Sequence, residues 1–146
     1  MPKERLSATV QSVKGLKTVS KVREFEFVMD EPKNLGGTNE GMNPVEALLS
    51  AIGGCKVIVA RSFCRVKKIA LEDIVIKVEG DIDTDGFSGK NPEAKIGLFN
   101  IKTTYQIKAD NTEEEINSFV DFIEKTCPVI DTIANAPTFE KVVERQ

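Results

Sequence analysis

Residues 43 to 55 read NPVEALLSAIGGC, and this stretch decides how the chain folds. Asn43 directly precedes Pro44, a pair typical of a helix N-cap followed by the first helical position. Apolar residues then continue to about Val66 and cover nearly the whole circumference of a helix. Such a pattern predicts a long helix that is buried on all sides. A domain of this size does not easily cover every face of that helix, so we expect a partner subunit.

Two glycines and a cysteine occupy the middle of this predicted helix. Gly53 and Gly54 each cost a helix about 1 kcal/mol relative to alanine, so we expect them to allow close approach of another backbone or a ligand near Cys55. Cys127 directly precedes Pro128, which indicates a second helix start with the cysteine as N-cap. The helix dipole stabilises a thiolate at such a position.

Strand periodicity on both sides of the long helix completes the predicted fold. A capping box at Thr112–Glu115 starts a further helix, whose apolar residues continue to Ile123. Alternating apolar residues predict strands at Leu6–Val10, in a run that ends at Met29, and at Ile74–Val78, Phe99–Ile107 and Thr138–Val143. The order of two or three strands, long helix, two strands, helix and strand predicts one α+β domain over residues 1–146.

Composition excludes several classes of function. The chain has 146 residues and a net charge of −3, which disfavours binding to nucleic acid or to anionic membranes. No secretory signal is visible, and the apolar run from Val45 to Ala60 is too short to span a bilayer. We therefore expect a cytoplasmic protein with reduced thiols. The absence of histidine excludes Ser-His-Asp and Cys-His catalysis, and the three cysteines fit no metal-binding pattern.

Thiolate chemistry, carboxylate chemistry and simple binding remain, and the positions of the three cysteines favour thiol redox chemistry. Cys64 lies nine residues after Cys55, on the opposite face of a regular helix, which excludes a disulfide between them. We expect Cys64 to be a core residue. Cys55 is either apolar filler or a reactive thiol, and Cys127 is either an incidental N-cap or a reactive thiol.

Glu46 and Arg23 are the charged candidates for the same site. Glu46 is separated from Cys55 by about 13.5 Å along the helix axis, so only a partner subunit would bring such a pair together. Alternatively, Glu46 is a first-turn acid favoured by the helix dipole. Arg23 is predicted to lie on a strand, either as a solvated charge or as the cation that a catalytic thiolate and a peroxide require.

The segment DEPKNLGGTNEGMNPVEALL at residues 30–49, followed by AIGGC at residues 51–55, closely resembles the OsmC/Ohr family of osmotically induced and organic hydroperoxide resistance proteins. Cys127-Pro128-Val129 resembles the second cysteine motif of that family. In the peroxide-resistance branch a glutamate directly follows the Asn-Pro pair. Here Val45 intervenes before Glu46, which indicates the broader OsmC-like branch.

The resemblance implies an intertwined homodimer with antiparallel sheets around long central helices and a site at each end of the interface. It also implies a thiol peroxidase for organic hydroperoxides, whose site residues would be Cys55, Cys127, Arg23 and Glu46. On that scheme Cys55 becomes a sulfenic acid, Cys127 condenses with it to a disulfide, and an external dithiol, of the lipoyl type in the peroxide-resistance branch, reduces the disulfide. No resident cofactor is expected.

Two other functions remain open on the sequence alone. The first is a non-catalytic protein of the same fold that binds an apolar small molecule at the dimer interface and uses its thiols only for packing. The second is a thiol-dependent hydrolase, which the lack of histidine leaves without an obvious general base.

Overall fold

A computed structural model describes residues 2–146 and confirms the α+β class. The chain forms two compact units, one ending at Leu48 and the other beginning at Leu49, so that the boundary falls within the long helix. None of the helices in the described residues is both long enough and apolar enough to cross a membrane.

The first unit contains a three-stranded antiparallel sheet in the order β1 (Thr9–Lys14), β2 (Lys17–Val22) and β3 (Phe25–Met29). Gly15, at φ +58°, forms the turn between β1 and β2, where the left-handed conformation favours glycine. The predicted run to Met29 is thus two strands, because a tight turn at Arg23 interrupts it.

The long helix α1 (Pro44–Phe63) begins where the sequence predicted it to begin. The Asn43 side chain accepts a hydrogen bond from the Glu46 amide at 2.8 Å, which confirms the N-cap. The prediction of burial on all sides is wrong for the single chain. Ile52 and Lys56 are buried, whereas Ile58 on another face is 67 % exposed.

The second unit packs the rest of α1 against a two-stranded antiparallel sheet of β4 (Leu71–Asp81) and β5 (Phe99–Ala109). Helix α2 (Thr84–Ser88) lies between β4 and β5, and helices α3 (Glu113–Thr126) and α4 (Pro128–Ala134) follow β5. The predicted capping box of α3 is present. The core cluster draws on α1, β4, α3 and the connection after α1, and consists of Val59, Ala60, Ile69, Ile74, Phe119 and Ile123.

The strand predicted at Thr138–Val143 does not form. A strand requires a neighbouring strand to accept and donate its backbone hydrogen bonds. No strand of the described residues pairs with this segment, and its apolar side chains face solvent, with Phe139 86 % exposed.

Candidate functional site

Cys55 and Cys127 lie side by side in the second unit. The Cys55 thiol, half-buried near the middle of α1, lies within interaction range of the Cys127 sulfur and of the backbone N–H of Val129. Cys127 is buried, and both cysteines are reduced. The structure therefore brings together the two thiols that the sequence singled out.

The helix start at Cys127 explains this geometry. Helix α3 ends at Thr126, and Cys127 adopts an extended backbone conformation at φ −73° and ψ 110°. Pro128 then occupies the first position of α4, where its fixed φ suits a helix and its missing N–H is not needed. The backbone amide of Val129, in the first turn of α4, interacts with the Cys55 thiol.

The surroundings of Cys55 favour its protonated form. Burial raises the pKa of the Cys55 thiol, and the hydrogen bond with Cys127 raises this pKa further. The Val129 amide and the positive charge of Lys56 act in the opposite direction without cancelling that rise. In the single chain Cys55 is thus a thiol that needs further activation before it can act as a nucleophile.

A buried charge network lies directly beside the thiol pair. Lys56 follows Cys55 in α1, and its Nζ donates to Glu124 Oε1 at 2.7 Å and to Thr103 Oγ1 at 2.8 Å. The hydroxyl of Tyr105 donates to the same Glu124 oxygen, and the Lys56 Nζ lies 5.6 Å from the centroid of the Tyr105 ring. We refer to Lys56, Glu124, Thr103 and Tyr105 as the lysine network.

The lysine network is charged at neutral pH. Burial alone would raise the pKa of the Glu124 carboxyl, but the hydrogen bonds from Lys56 and Tyr105 together with the Lys56 charge outweigh it, and the pKa is lowered. Burial and the neighbouring Glu124 carboxylate raise the pKa of Tyr105 well above its usual range. Lys56 and Glu124 therefore form an ion pair, and Tyr105 stays neutral.

An open cavity of about 350 Å³ borders the lysine network. Its polar surface comes from the lysine network, and its apolar surface comes from β5 and α4. The lining residues are Lys56, Thr103, Glu124, Ile101, Ile130, Ile133 and Ala134.

Arg23 and Glu46 have local partners in the structure. Arg23 is a turn residue at φ +53°, not a strand residue as predicted; its side chain is 71 % exposed, and its guanidinium lies 3.9 Å from Glu24 and over the ring of Phe25. The Glu46 carboxylate accepts a hydrogen bond from the Asn43 amide at 2.8 Å, which closes a capping box on α1. Their assignment to the site of Cys55 stays a prediction.

Cys64 is separate from the thiol pair, as predicted. It packs against the core cluster of the second unit, and its thiol donates to the Arg61 carbonyl oxygen at 3.4 Å.

Sequence reasoning missed most of the lysine network. The sequence places Lys56 directly after Cys55 but does not give its partners, and no role was predicted for Glu124, Thr103 or Tyr105. Two signals were available: Glu124 stands three residues before Cys127, and Tyr105 is the chain's single tyrosine, on the same face of its strand as Thr103. Neither signal identifies the partner of Lys56.

Comparison with known proteins shows the family to which the chain belongs. The OsmC-like protein family matches residues 37–141. A protein of Mycoplasma pneumoniae named hydroperoxide reductase is 31% identical over 111 residues, covering 75% of this chain and 73% of the relative. A hydroperoxide reductase of Mycoplasma genitalium is 29% identical over 118 residues, covering 80% and 77%. The crystal structure of an OsmC-like protein from Mycoplasma pneumoniae has a TM-score of 0.77 at 26% identity, covering 92% of this chain and 91% of the other. The chain belongs to the OsmC-like protein family.

Proposed function

We propose that this protein is a thiol-dependent peroxidase that reduces organic hydroperoxides to alcohols in defence against oxidative stress. The observation that carries the proposal is that two free cysteines, Cys55 and Cys127, lie within interaction range of each other. The relatives named hydroperoxide reductase support a peroxide-related role. We place the protein in the cytoplasm, where thiols are kept reduced.

In the first step the Cys55 thiolate attacks the terminal oxygen of the hydroperoxide. The O–O bond breaks, the sulfur keeps that oxygen as a sulfenic acid, and the departing alkoxide takes a proton and leaves as the alcohol. The sulfur is oxidised by two electrons and the peroxide is reduced by two. Because the pKa of Cys55 is raised, this step requires a cation near the sulfur.

In the second step Cys127 resolves the sulfenic acid. Its sulfur attacks the Cys55 sulfur, a disulfide forms, and the sulfenic oxygen leaves as water. The interaction between the two thiols supports this step, because it places the resolving sulfur next to the sulfur that is oxidised. An external dithiol, for which we propose the lipoyl class, then exchanges with the disulfide and returns both thiols.

A homodimer completes the proposed site. Ala51, Gly54 and Ile58 recur at helical spacing on one face of α1, and all three are exposed in the single chain. We assign this apolar face to a partner subunit. Arg23 is proposed to orient the peroxide oxygens, and Glu46 of one chain to lie near the partner's Cys55; the capping bond of Glu46 uses only its Oε2 atom.

Three serine variants test the proposal with cumene hydroperoxide and a dithiol reductant. Cys55→Ser is expected to abolish turnover. Cys127→Ser, treated with peroxide before the dithiol is added, is expected to consume one equivalent and to retain a sulfenic acid at position 55 that dimedone traps. Cys64→Ser, the matched control, is expected to retain full turnover because Cys64 lies apart from the pair. Full turnover by Cys55→Ser contradicts the mechanism.

The second candidate function is the binding of an apolar small molecule. It is favoured by the cavity of about 350 Å³, whose apolar surface includes Ile101, Ile130 and Ile133. A carrier of this kind keeps all its thiols when one equivalent of peroxide is added, whereas the proposed peroxidase loses two per chain.

A further inference from the structure

Lys56 is an unusual residue for the interior of this small protein. Its side chain is 2 % exposed, and the charge it pairs with, Glu124, is 39 % exposed. Burying an ion pair costs desolvation free energy, and apolar residues of similar volume often stabilise a fold as well or better. Stability of the fold therefore does not account for a charged pair at this position.

The position of the lysine network relates it to both thiols. Lys56 is the residue after Cys55 in α1, and Glu124 lies one helical turn before Cys127 at the end of α3. Strand β5 contributes Thr103 and Tyr105, which hold the Lys56 Nζ and the Glu124 carboxylate in place. The ion pair consequently connects the two elements that carry the thiols.

The unequal exposure of the two charges gives the lysine network a net effect on the thiols. Water screens the charge of Glu124 more than that of the fully buried Lys56. Two titratable groups act directly on the Cys55 thiol, Cys127 and Lys56. Glu124 on α3 faces Lys56 and Tyr105, and Tyr105 on β5 also faces Cys127. Among these Lys56 is the only cation, and its charge favours the thiolate.

We propose that Lys56 is a positioning residue for the peroxidase chemistry: a fixed buried cation, held by Glu124, Thr103 and Tyr105, that stabilises a thiolate in the Cys55–Cys127 pair. This inference deepens the proposed function and rests on it. It gives the site a cation from the same unit as the thiols, independent of the role assigned to Arg23.

Two variants with opposite charge changes test the inference. Lys56→Met keeps the length of an apolar stem and removes the positive charge, and Glu124→Gln removes the negative charge and keeps an oxygen that accepts hydrogen bonds. The readout is the rate of Cys55 alkylation by iodoacetamide between pH 6 and 10, followed by mass spectrometry in a Cys64→Ser background. The titration reports the apparent pKa of the thiol pair.

The inference predicts shifts of opposite sign. Lys56→Met is expected to raise the apparent pKa and to slow alkylation at pH 7 about tenfold, the change that one pKa unit produces. Glu124→Gln is expected to lower the apparent pKa and to speed alkylation. Lys56→Arg, which restores the charge, is expected to return the profile toward that of the parent protein.

A merely structural lysine network gives a different result. In that case Lys56→Met and Glu124→Gln both break the same ion pair and shift the profile in the same direction or leave it unchanged, and either outcome overturns the inference. Alkylation needs no peroxide, so opposite shifts without cumene hydroperoxide turnover would refute the proposed function and leave the electrostatic role of Lys56 intact. Cumene hydroperoxide turnover with an unchanged alkylation profile in both variants would refute the electrostatic role of Lys56 and leave the proposed function intact.

Discussion

Asp30 organises the loop that precedes α1 through a single carboxylate. Although it is a charged residue, it is only 2 % exposed. Its carboxylate accepts hydrogen bonds from the amides of Glu31, Thr38 and Glu40 and from the Thr38 hydroxyl, at 2.6–3.2 Å. Gly37 allows this close packing, because a Cβ there would lie 2.0 Å from the Glu31 carbonyl oxygen.

These hydrogen bonds predict a specific pH dependence of stability. The Thr38 hydroxyl, the largest cause, and the backbone amides outweigh burial and lower the pKa of Asp30 to about 2. The unfolded carboxyl titrates at about 3.9, so the stabilisation is fully present above that pH and is lost as the pH falls through about 2. We expect Asp30→Asn to lower the melting temperature at pH 7 by several degrees and to reduce the loss of stability between pH 4 and pH 2. The control is Asp121→Asn on the exposed surface of α3; equal melting curves for the two variants at pH 7 would show that Asp30 has no such role.

The structural role of a residue could be predicted from the sequence where that role depends on neighbouring residues. Asn43 and Pro44 mark the start of α1, and Cys127 marks the start of α4, because capping depends on neighbours in sequence. The partner of Lys56 was not predictable in this way, because Glu124 is 68 residues away and only the packed core brings the two together. Periodicity identifies buried faces but does not identify the partner of a buried charge.

Helix α1 contains two glycines with different surroundings. Gly53 is buried, and a Cβ there would make an ordinary contact with Val78 Cγ2 of β4 at 3.4 Å, so this glycine faces the packing within the unit. Gly54 is exposed, and a Cβ there would meet nothing within 4 Å. The chain itself gives no reason for Gly54, whereas a partner subunit packed closely against this face would.

The contrast predicts that Gly54→Leu weakens dimerisation without weakening the single chain. Replacing a helical glycine by a good helix former stabilises the helix by about 1 kcal/mol, while the added side chain obstructs close approach of a partner. We expect the dimer dissociation constant to rise about tenfold or more in sedimentation velocity, with a smaller rise for Gly54→Ala. Asp121→Leu on α3 is the matched exposed substitution. An unchanged dissociation constant for Gly54→Leu would remove this face of α1 from the interface.

Among the secondary-structure elements, the strand predicted at Thr138–Val143 does not form. Its alternating apolar residues satisfy a strand pattern, but a strand also needs hydrogen-bonding neighbours. The second unit offers a sheet of only two strands, and the segment pairs with neither. Helices α1 and α3 were predicted correctly because a helix satisfies its backbone hydrogen bonds within its own segment.

At the scale of the whole molecule, each unit leaves large apolar side chains exposed. In the first unit these include Val10 and Phe27 of the three-stranded sheet, and in the second Ile58 of α1 and Phe139 near the C-terminus. Extensive exposed apolar surface is typical of chains that associate. The sequence predicted a partner subunit from the composition of α1 alone, and the proposed homodimer accounts for the exposed face of that helix.

The central claim is that electrons pass between Cys55 and Cys127, and its most direct test counts and locates thiols after oxidation. The full-length protein is treated with one equivalent of cumene hydroperoxide, its free thiols are titrated, and its disulfides are mapped by peptide mass spectrometry. We predict the loss of two thiols per chain, a disulfide joining Cys55 to Cys127, and a reduced Cys64. Retention of all three thiols, or a disulfide that omits Cys55, would contradict the account.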